Sequence, residues 1–371
     1  MTNKPKLFNK RNSEITKNIL SLKKRIGVVD LFCGIGGLTH GFVKEGYDVL
    51  AGFDIDNTCK YTYEENNNAK FIAKDVSDLT KQELQELYRD KPIKILIGCA
   101  PCQPFSKYSN TRKSEDEKWK LLYKFAHVIE ELQPDIVSME NVPELFRRKK
   151  YPVYDEFVQK LRDNGYEVWA DVVNCVEYGM PQNRKRLILL ASKFGEIELI
   201  KPTHNKDTYV TVGDVLRDLP TLNHGEQDKN DPVHLASKLS EKNYLRVCST
   251  PYGGSWKDWP KELRNECHLK ESGKTYSSVY GRMTWENPSP TMTTQCIGLG
   301  NGRFGHPEQN RAISLREAAI LQTFPRDYKF IKPGEEVIKK HIARQIGNAV
   351  PVDLGRVIAK SITQHFSSLN L

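Results

Sequence analysis

The chain has 371 residues, of which 38% are hydrophobic and 28% are charged. This composition is typical of a soluble globular protein, and no apolar run reaches the roughly 18 residues that a membrane span needs. The Lys-rich start is not followed by the apolar stretch of a signal peptide. We therefore expect a cytoplasmic protein without membrane contact. The length predicts two lobes, because single cores stop growing at roughly 250–300 residues.

The positive charge is concentrated near the N-terminus. Residues 1–25 contain eight basic residues and one acidic residue, and so account for +7 of the net charge of +9. The charge left on the rest of the chain is weak evidence for a DNA-binding body. The basic segment is either a solvated tail or a flexible arm that touches phosphates.

Eight cysteines are scattered along the chain without the dense framework of a small secreted domain, so we expect reduced thiols. Cys99 and Cys102 have C-x-x-C spacing, which suits redox chemistry or half of a zinc site. A structural zinc site needs a second pair of ligands at comparable spacing, and the sequence has none. We therefore expect no metal.

From residue 25 onward, short apolar runs alternate with helix-like stretches, as in a parallel sheet covered on both faces. The predicted strands are Ile26–Phe32, Asp48–Phe53, Ile93–Ile97, Asp135–Met139 and Leu187–Leu190. Helices are predicted at about 37–45, 56–66, 117–132 and 153–163. After residue 198 the alternation ends. Near the end of the chain, residues 314–317 have the form of a helix capping box, and an amphipathic helix is expected from about Val352.

In a doubly wound sheet, ligands bind outside the carboxyl ends of the strands. The first predicted strand ends in a turn with Gly34, Gly36 and Gly37, where glycine lets backbone approach a ligand closely. Asp54 ends the second strand, where a carboxylate can accept hydrogen bonds from a ribose. Asp75 has a similar position in the third unit. These features predict a nucleoside-like ligand; the alternative is ordinary turns with N-cap aspartates.

Three further motifs also lie at strand ends. Pro101 and Pro104 bracket Cys102, which suits a side chain presented at a strand end rather than packed in the core. Glu140 ends the next strand. Residues 182, 184 and 186 share one face of an extended segment, so that two guanidiniums and an amide point together. Such a face can hold an anion, orient a carboxylate or bind a base oxygen, or it belongs to a solvated edge strand.

Together these elements resemble the C5-cytosine DNA methyltransferase family. The combination of the Pro-Cys-Gln, Glu-Asn-Val and Gln-x-Arg-x-Arg elements is highly specific, and residues 345–351 resemble the last motif of the family. The resemblance implies an α/β fold with a Rossmann-like S-adenosylmethionine-dependent methyltransferase domain and a smaller, irregular target-recognition domain. We expect a basic extension at 1–25, the catalytic and cofactor-binding domain at 26–198, the target-recognition domain at 199–325, and a C-terminal segment at 326–371 that completes the catalytic domain.

The resemblance also implies roles for individual residues. Cys102 is the expected nucleophile, Glu140 polarises the base, Arg186 holds the base oxygen and Arg184 orients the catalytic groups. Residues expected to bind S-adenosylmethionine are Phe32, Gly34, Gly36, Asp54, Ile55, Asp75, Pro101 and Asn348. Residues expected to contact DNA are Gln103, Ser106 and Arg112, in a stretch that resembles the family's mobile loop, and Gln295 and Arg303, which offer donors to base edges.

The implied substrate is double-stranded DNA with its target cytosine flipped out of the stack. The resemblance further suggests a monomeric modification enzyme linked to a restriction endonuclease. Three alternatives remain at this point: a DNA-binding module that has lost catalysis, a thiol-redox enzyme using Cys99 and Cys102, and the related branch that methylates transfer RNA. That last branch typically carries a Cys-Phe-Thr element, which this sequence lacks.

Overall fold

Seven strands in the described part of the chain form one sheet. The computed structural model describes residues 19–101, 115–146 and 152–369, and at 115–120, 272 and 274 it describes the backbone alone. The strands are β1 (Ile26–Leu31), β2 (Asp48–Asp54), β3 (Lys70–Ala73), β4 (Ile93–Gly98), β5 (Ile136–Asn141), β6 (Glu167–Asn174) and β7 (Lys185–Ser192). The five predicted strands are confirmed, whereas the sequence pattern missed β3 and β6 as strands.

The helices among the described residues follow the same alternation in the first half of the chain. They are α1 (Gly37–Lys44), α2 (Lys60–Asn67), α3 (Lys81–Leu87), α4 (Glu115–Leu132), α5 (Pro152–Asp163), α6 (Val212–Leu216), α7 (Glu241–Cys248), α8 (Glu266–Leu269), α9 (Leu315–Leu321), α10 (Lys339–Asn348) and α11 (Val352–Ser368). The predicted capping box is present at the start of α9, where the Ser314 side chain accepts from the Glu317 backbone N–H and the Glu317 carboxylate accepts from that of Ser314. The predicted start of α11 is confirmed as well.

The strand order β3-β2-β1-β4-β5-β7-β6 reverses direction between β1 and β4. The pairs from β3 through β5 are parallel, and β5 pairs with β7 in antiparallel register. The alternation in the sequence predicts a parallel sheet. The antiparallel pairing of β5 with β7 makes the sheet mixed instead. The connection from β6 to β7 is short, and its regular structure is a single helical turn, Cys175–Tyr178. A connection that made β7 parallel to β6 would have to be longer. For a sheet whose strand order reverses between β1 and β4, a ligand crevice is expected at the carboxyl ends of the parallel strands.

The two strands that flank the central strand β4 are buried because both faces of the sheet are covered. Every residue of β1 and β5 is buried. On one face, Phe125 of α4 stacks on Phe157 of α5 with ring centroids 6.0 Å apart, and both are at most 2% exposed. Truncating such a ring to alanine costs about 3–5 kcal/mol.

The contacts divide the chain into two compact units. Among the described residues, the first unit contains the sheet and consists of those up to Val173, Lys185–Lys201 and those from Leu354 onward; the second consists of Asn174–Arg184 and Pro202–Asp353. The structural boundary near 201 lies close to the expected one at 198. By their contacts, residues 326–353 belong to the second unit, and the chain returns to the sheet unit at Leu354. The assignment of functions to these parts stays a prediction.

Buried arginines are a main element of the second unit. An apolar cluster of Val247, Leu299 and Ala312 is small, and the guanidinium of Arg282, 4% exposed, donates to backbone carbonyls around it. The acceptors are the carbonyls of Val247, Thr250, His306 and Gln309. Where regular secondary structure is sparse, carbonyls need other donors, and arginine supplies five N–H groups in a fixed plane.

The structure describes no helix that is long and apolar enough to cross a membrane.

Candidate active site

The turn after β1 has a backbone that most side chains avoid. Phe32, Gly34 and Gly36 all have positive φ, at 62°, 50° and 85°. A Cβ on Gly36 would lie 2.5 Å from Asn67 Nδ2, whereas a Cβ on Gly34 would meet no described atom within 4 Å. Gly36 is therefore required by close packing, and Gly34 borders open space. A non-glycine residue with positive φ such as Phe32 is uncommon and typical of functional turns.

Asp54 ends β2 beside this turn. Its Oδ2 accepts from the Gly34 N–H at 2.9 Å, and its Oδ1 accepts from the Asp56 N–H at 2.9 Å. Burial raises the pKa of the Asp54 carboxyl above its usual value, because a partly dehydrated charge is less stable. The next side chain, Ile55, is 74% exposed. The Asp54 carboxylate and the apolar surface of Ile55 are thus adjacent in the chain, and Asp54 is bonded to Gly34, which borders open space.

Asp75 lies after β3, where its carboxylate accepts from the Ser77 N–H at 2.7 Å and caps a short helical turn. It is half-buried. The observed contact is the N-cap alternative recognised in the sequence. These features fit the adenosine part of S-adenosylmethionine: an apolar surface for a base, carboxylate oxygens for hydroxyls, and open space over Gly34.

Sequence reasoning missed Asp30 as a residue of this region. Its Oδ2 accepts from the Thr39 hydroxyl at 2.6 Å, and Thr39 Oγ1 lies 3.1 Å from Tyr63 Oη. Burial raises the pKa of Asp30 to about 7. A buried carboxyl in the strand that precedes a glycine turn is a recognisable sequence signal, although the sequence alone does not show that it is dehydrated.

The ends of β4 and β5 are joined by their side chains. Parallel pairing aligns Gly98 with Met139, so the next residues, Cys99 and Glu140, lie side by side. Cys99 Sγ donates to Glu140 Oε2 at 2.8 Å, and Asn141 Nδ2 donates to the Ala100 carbonyl at 3.3 Å. The Glu-Asn motif of β5 therefore anchors the turn that leads to Pro101, which is exposed. The predicted site residues Cys102, Gln103, Ser106 and Arg112 lie outside the described residues.

Glu140 is buried next to Arg186. Arg186 Nε lies 2.8 Å from Glu140 Oε1, and their side chains are 14% and 3% exposed. The distance is that of an ion pair, but the N–H is not aimed at the oxygen, so Oε1 accepts no hydrogen bond from the described residues. One carboxylate oxygen thus takes a thiol hydrogen bond, and the other retains acceptor capacity beside a cation.

Residues 182, 184 and 186 have different partners in the described contacts. Arg186 lies on β7 in the first unit, whereas Gln182 and Arg184 bind within the second. Arg184 donates to the carbonyls of Met292 at 3.1 Å and Ala349 at 3.4 Å, and it is 3% exposed. Gln182 donates to the Leu321 carbonyl at 2.9 Å. In the described contacts, Arg184 therefore connects backbone segments of its own unit.

The other predicted site residues of the second unit differ in the exposure and hydrogen bonding of their side chains. Asn348 is the last residue of α10 and is exposed, and Gln295 is also exposed. Arg303 is half-buried and its Nη1 donates to three carbonyls, those of Gly253, Gly254 and Arg282, at 2.6–3.0 Å. The Arg303 side chain thus ties two loops together, while Gln295 projects from the surface.

A profile of the C-5 cytosine-specific DNA methylase family matches residues 26–364. The chain belongs to this family. It is a DNA cytosine-5-methyltransferase, and S-adenosylmethionine is its methyl donor. The methyltransferase is 54% identical to the Type II methylase M.HgiDII of Herpetosiphon aurantiacus, over 92% of this chain and 96% of that protein. It is 29% identical to the Type II methyltransferase M1.HphI of Haemophilus parahaemolyticus, over 90% and 86% of the two chains.

Solved structures support the fold of the methyltransferase. A protein encoded within an E. coli prophage matches with a TM-score of 0.70 at 24% identity, over 92% of this chain and 99% of that one. DNMT2 of Spodoptera frugiperda matches with a TM-score of 0.61 at 16% identity, over 91% and 99%. At these identities the likeness concerns the fold alone, which is the Rossmann-like α/β fold expected from the sequence.

Proposed function

We propose that this enzyme is a Type II modification methyltransferase that acts on a flipped-out cytosine within one short duplex sequence, through a covalent adduct of Cys102. The observation that carries this proposal is the buried pair of Glu140 and Arg186, beside the turn that leads to Cys102. Two relatives named as Type II enzymes support the class. A partner restriction endonuclease belongs to the same proposal.

The proposed reaction needs a nucleophile and a polarising acid. Cytosine carbon 6 resists attack unless ring nitrogen 3 is hydrogen-bonded or protonated, and Glu140 supplies this interaction. The thiolate of Cys102 then forms a bond to carbon 6, and carbon 5 becomes electron-rich. S-adenosylmethionine, when bound, supplies an electrophilic methyl group on a positively charged sulfur. After transfer, the proton on carbon 5 leaves and the bond to Cys102 breaks, which restores the ring.

The remaining residues of the first unit have supporting roles in this proposal. Arg186 binds the oxygen of the base and favours the thiolate through its charge. Asp54 accepts from the ribose hydroxyls, Ile55 and Asp75 flank the adenine, and the Gly34 turn faces the methionine part. Phe32, Gly36 and Pro101 are assigned to the same site in this proposal, and Asn348 is assigned to S-adenosylmethionine as well.

Target choice is proposed to lie in residues 199–325. The motifs at the strand ends are generic for any cytosine, so discrimination between sequences must come from another part of the chain. Gln295 is exposed and has both a donor and an acceptor for a base edge. The stretch with Gln103, Ser106 and Arg112 is proposed to contact the DNA around the flipped base.

Bisulfite sequencing of plasmid DNA treated with the enzyme tests this proposal. We expect complete methylation of cytosine in every copy of one short sequence and none elsewhere. Duplex DNA with 5-fluorocytosine at that position should trap a covalent adduct, because fluorine cannot leave as a proton does. The adduct should be lost in Cys102→Ala and kept in Cys248→Ala, which removes an exposed thiol. An active Cys102→Ala enzyme would refute the proposed nucleophile.

A further inference from the structure

Cys99 has a place in the site that the proposed reaction does not use. It follows β4 directly and lies beside Glu140 in the parallel register. Its Sγ is 2.8 Å from Glu140 Oε2, a side chain that is 3% exposed. A buried carboxylate is costly unless donors compensate it, and this thiol is the donor that reaches Oε2. The contact thus acts on the polarising group itself.

The contacts make the two oxygens of Glu140 different from each other. Oε2 accepts the thiol hydrogen, and Oε1 lies 2.8 Å from Arg186 Nε without accepting a hydrogen bond from the described residues. A carboxyl group bonded through one oxygen cannot rotate freely about its last torsion angle. The thiol of Cys99 therefore restricts the plane of the group, and Oε1 is the oxygen left with acceptor capacity.

We propose that Cys99 is a positioning residue: its thiol holds Oε2 of Glu140, so that Oε1 is the oxygen that shares a proton with ring nitrogen 3 of cytosine. The inference rests on the proposed role of Glu140. The proton moves only between Oε1 and the ring nitrogen, and the thiol of Cys99 stays protonated and forms no covalent bond. This use accounts for the first cysteine of the C-x-x-C pair without redox chemistry.

The test compares Cys99→Ala with Cys99→Ser in the full-length enzyme. Alanine removes the donor, and serine keeps a hydroxyl donor at the same position. We expect methyl transfer in a single turnover to slow about tenfold in Cys99→Ala, the usual range for one hydrogen bond to a charged group, and to return to within about threefold in Cys99→Ser. The KM values for DNA and S-adenosylmethionine should not change. Ser138→Ala is the matched control, because it removes a buried hydroxyl from β5 two residues before Glu140.

Wild-type rates in Cys99→Ala, or equal losses in the alanine and serine variants, would overturn the proposal. The variant Glu140→Gln distinguishes a failure of the Cys99 proposal from a failure of the proposed function. If Glu140→Gln keeps wild-type activity, the proposed role of Glu140 itself is wrong. The bond is also observable without activity, through the infrared S–H stretch that disappears in Cys99→Ser. Glu140→Gln replaces a carboxylate acceptor by a neutral amide, so this band should move to higher frequency. An unchanged band would contradict the proposal even if Cys99→Ala does not fold.

Discussion

The backbone N–H of Gly34 donates to Oδ2 of Asp54 at 2.9 Å, across 20 residues of chain. This bond couples the glycine turn after β1 to the carboxylate that ends β2. A ligand held by Asp54 is therefore also placed against the turn, and a change at either residue acts on both. The two motifs are therefore joined within the proposed cofactor site.

Asp54→Ala should weaken binding of S-adenosylmethionine by roughly 1.5–3 kcal/mol, because hydrogen bonds to a charged group are lost. Isothermal titration calorimetry measures this change. Asp90→Ala is the control, since Asp90 is an exposed carboxylate in the turn before β4. Equal affinity in Asp54→Ala and the wild type would assign the ribose contact to another residue.

Substitution by lysine should have different consequences at Arg184 and Arg186: it should lower stability at the first and the rate of methyl transfer at the second. Arg184→Lys loses the fork that reaches the Met292 and Ala349 carbonyls, so unfolding free energy should fall by about 1–3 kcal/mol. Arg186→Lys keeps a charge beside Glu140 but loses the planar guanidinium, so methyl transfer should slow at least about tenfold with little change in stability. Urea unfolding and single-turnover rates separate the two, and a reversed pattern would contradict this division.

Acid should destabilise the fold through His306. Burial lowers the pKa of His306 to about 4, and its Nδ1 already accepts the backbone N–H groups of Glu308 and Gln309. The unfolded chain takes up this proton at a higher pH than the folded one, so the stabilisation is present above about pH 6.5 and is lost as the pH falls toward 4, on the order of 3 kcal/mol.

Urea midpoints between pH 8 and pH 4 measure this effect. His306→Asn should flatten the decline between pH 6.5 and 4, whereas a substitution at the exposed His341 should not. Burial opposes the charge of Glu317, but the guanidinium of Arg311 outweighs it and lowers the pKa of that carboxyl to about 2. Glu317 therefore adds a further loss, on the order of 3 kcal/mol, only as the pH falls from about 4.5 toward 2. Parallel curves for His306→Asn and the wild type would contradict this assignment.

Gln295 and Arg303 should differ in how they affect recognition. If Gln295 reads a base, Gln295→Ala should relax specificity at one position by about 1–3 kcal/mol and leave unfolding unchanged. Arg303→Ala removes the donor shared by three carbonyls, so its main effect should be a loss of stability and not a change in specificity. Methylation of all single-base variants of the target, with thermal unfolding of each enzyme variant, distinguishes the two. A wild-type profile for Gln295→Ala would remove it from the reading surface.

Several parts of the fold and of the candidate site can be predicted from the local sequence alone. Apolar runs of strand length followed by Gly34, Asp54 and Glu140 predict which strands form and which residues lie at their ends, because side-chain alternation and turn chemistry are local properties. The capping box at the start of α9 is local in the same sense, since Ser314 and Glu317 are three residues apart. The strands β3 and β6 were missed because one has four residues and the other is an edge strand with mostly half-exposed side chains.

Tertiary structure decided the rest, because it depends on contacts between residues far apart in the chain. The alternation of 184 and 186 placed two arginines on one face, but a partner 165 residues away, Ala349, assigns Arg184 to the second unit. Arg186 remains in the sheet unit beside Glu140. Likewise, the sequence singled out Cys99 only as half of a C-x-x-C pair, and the register of β4 with β5 put its thiol on a carboxylate 41 residues later. Local patterns determine which groups are available, and long-range packing determines which of them meet.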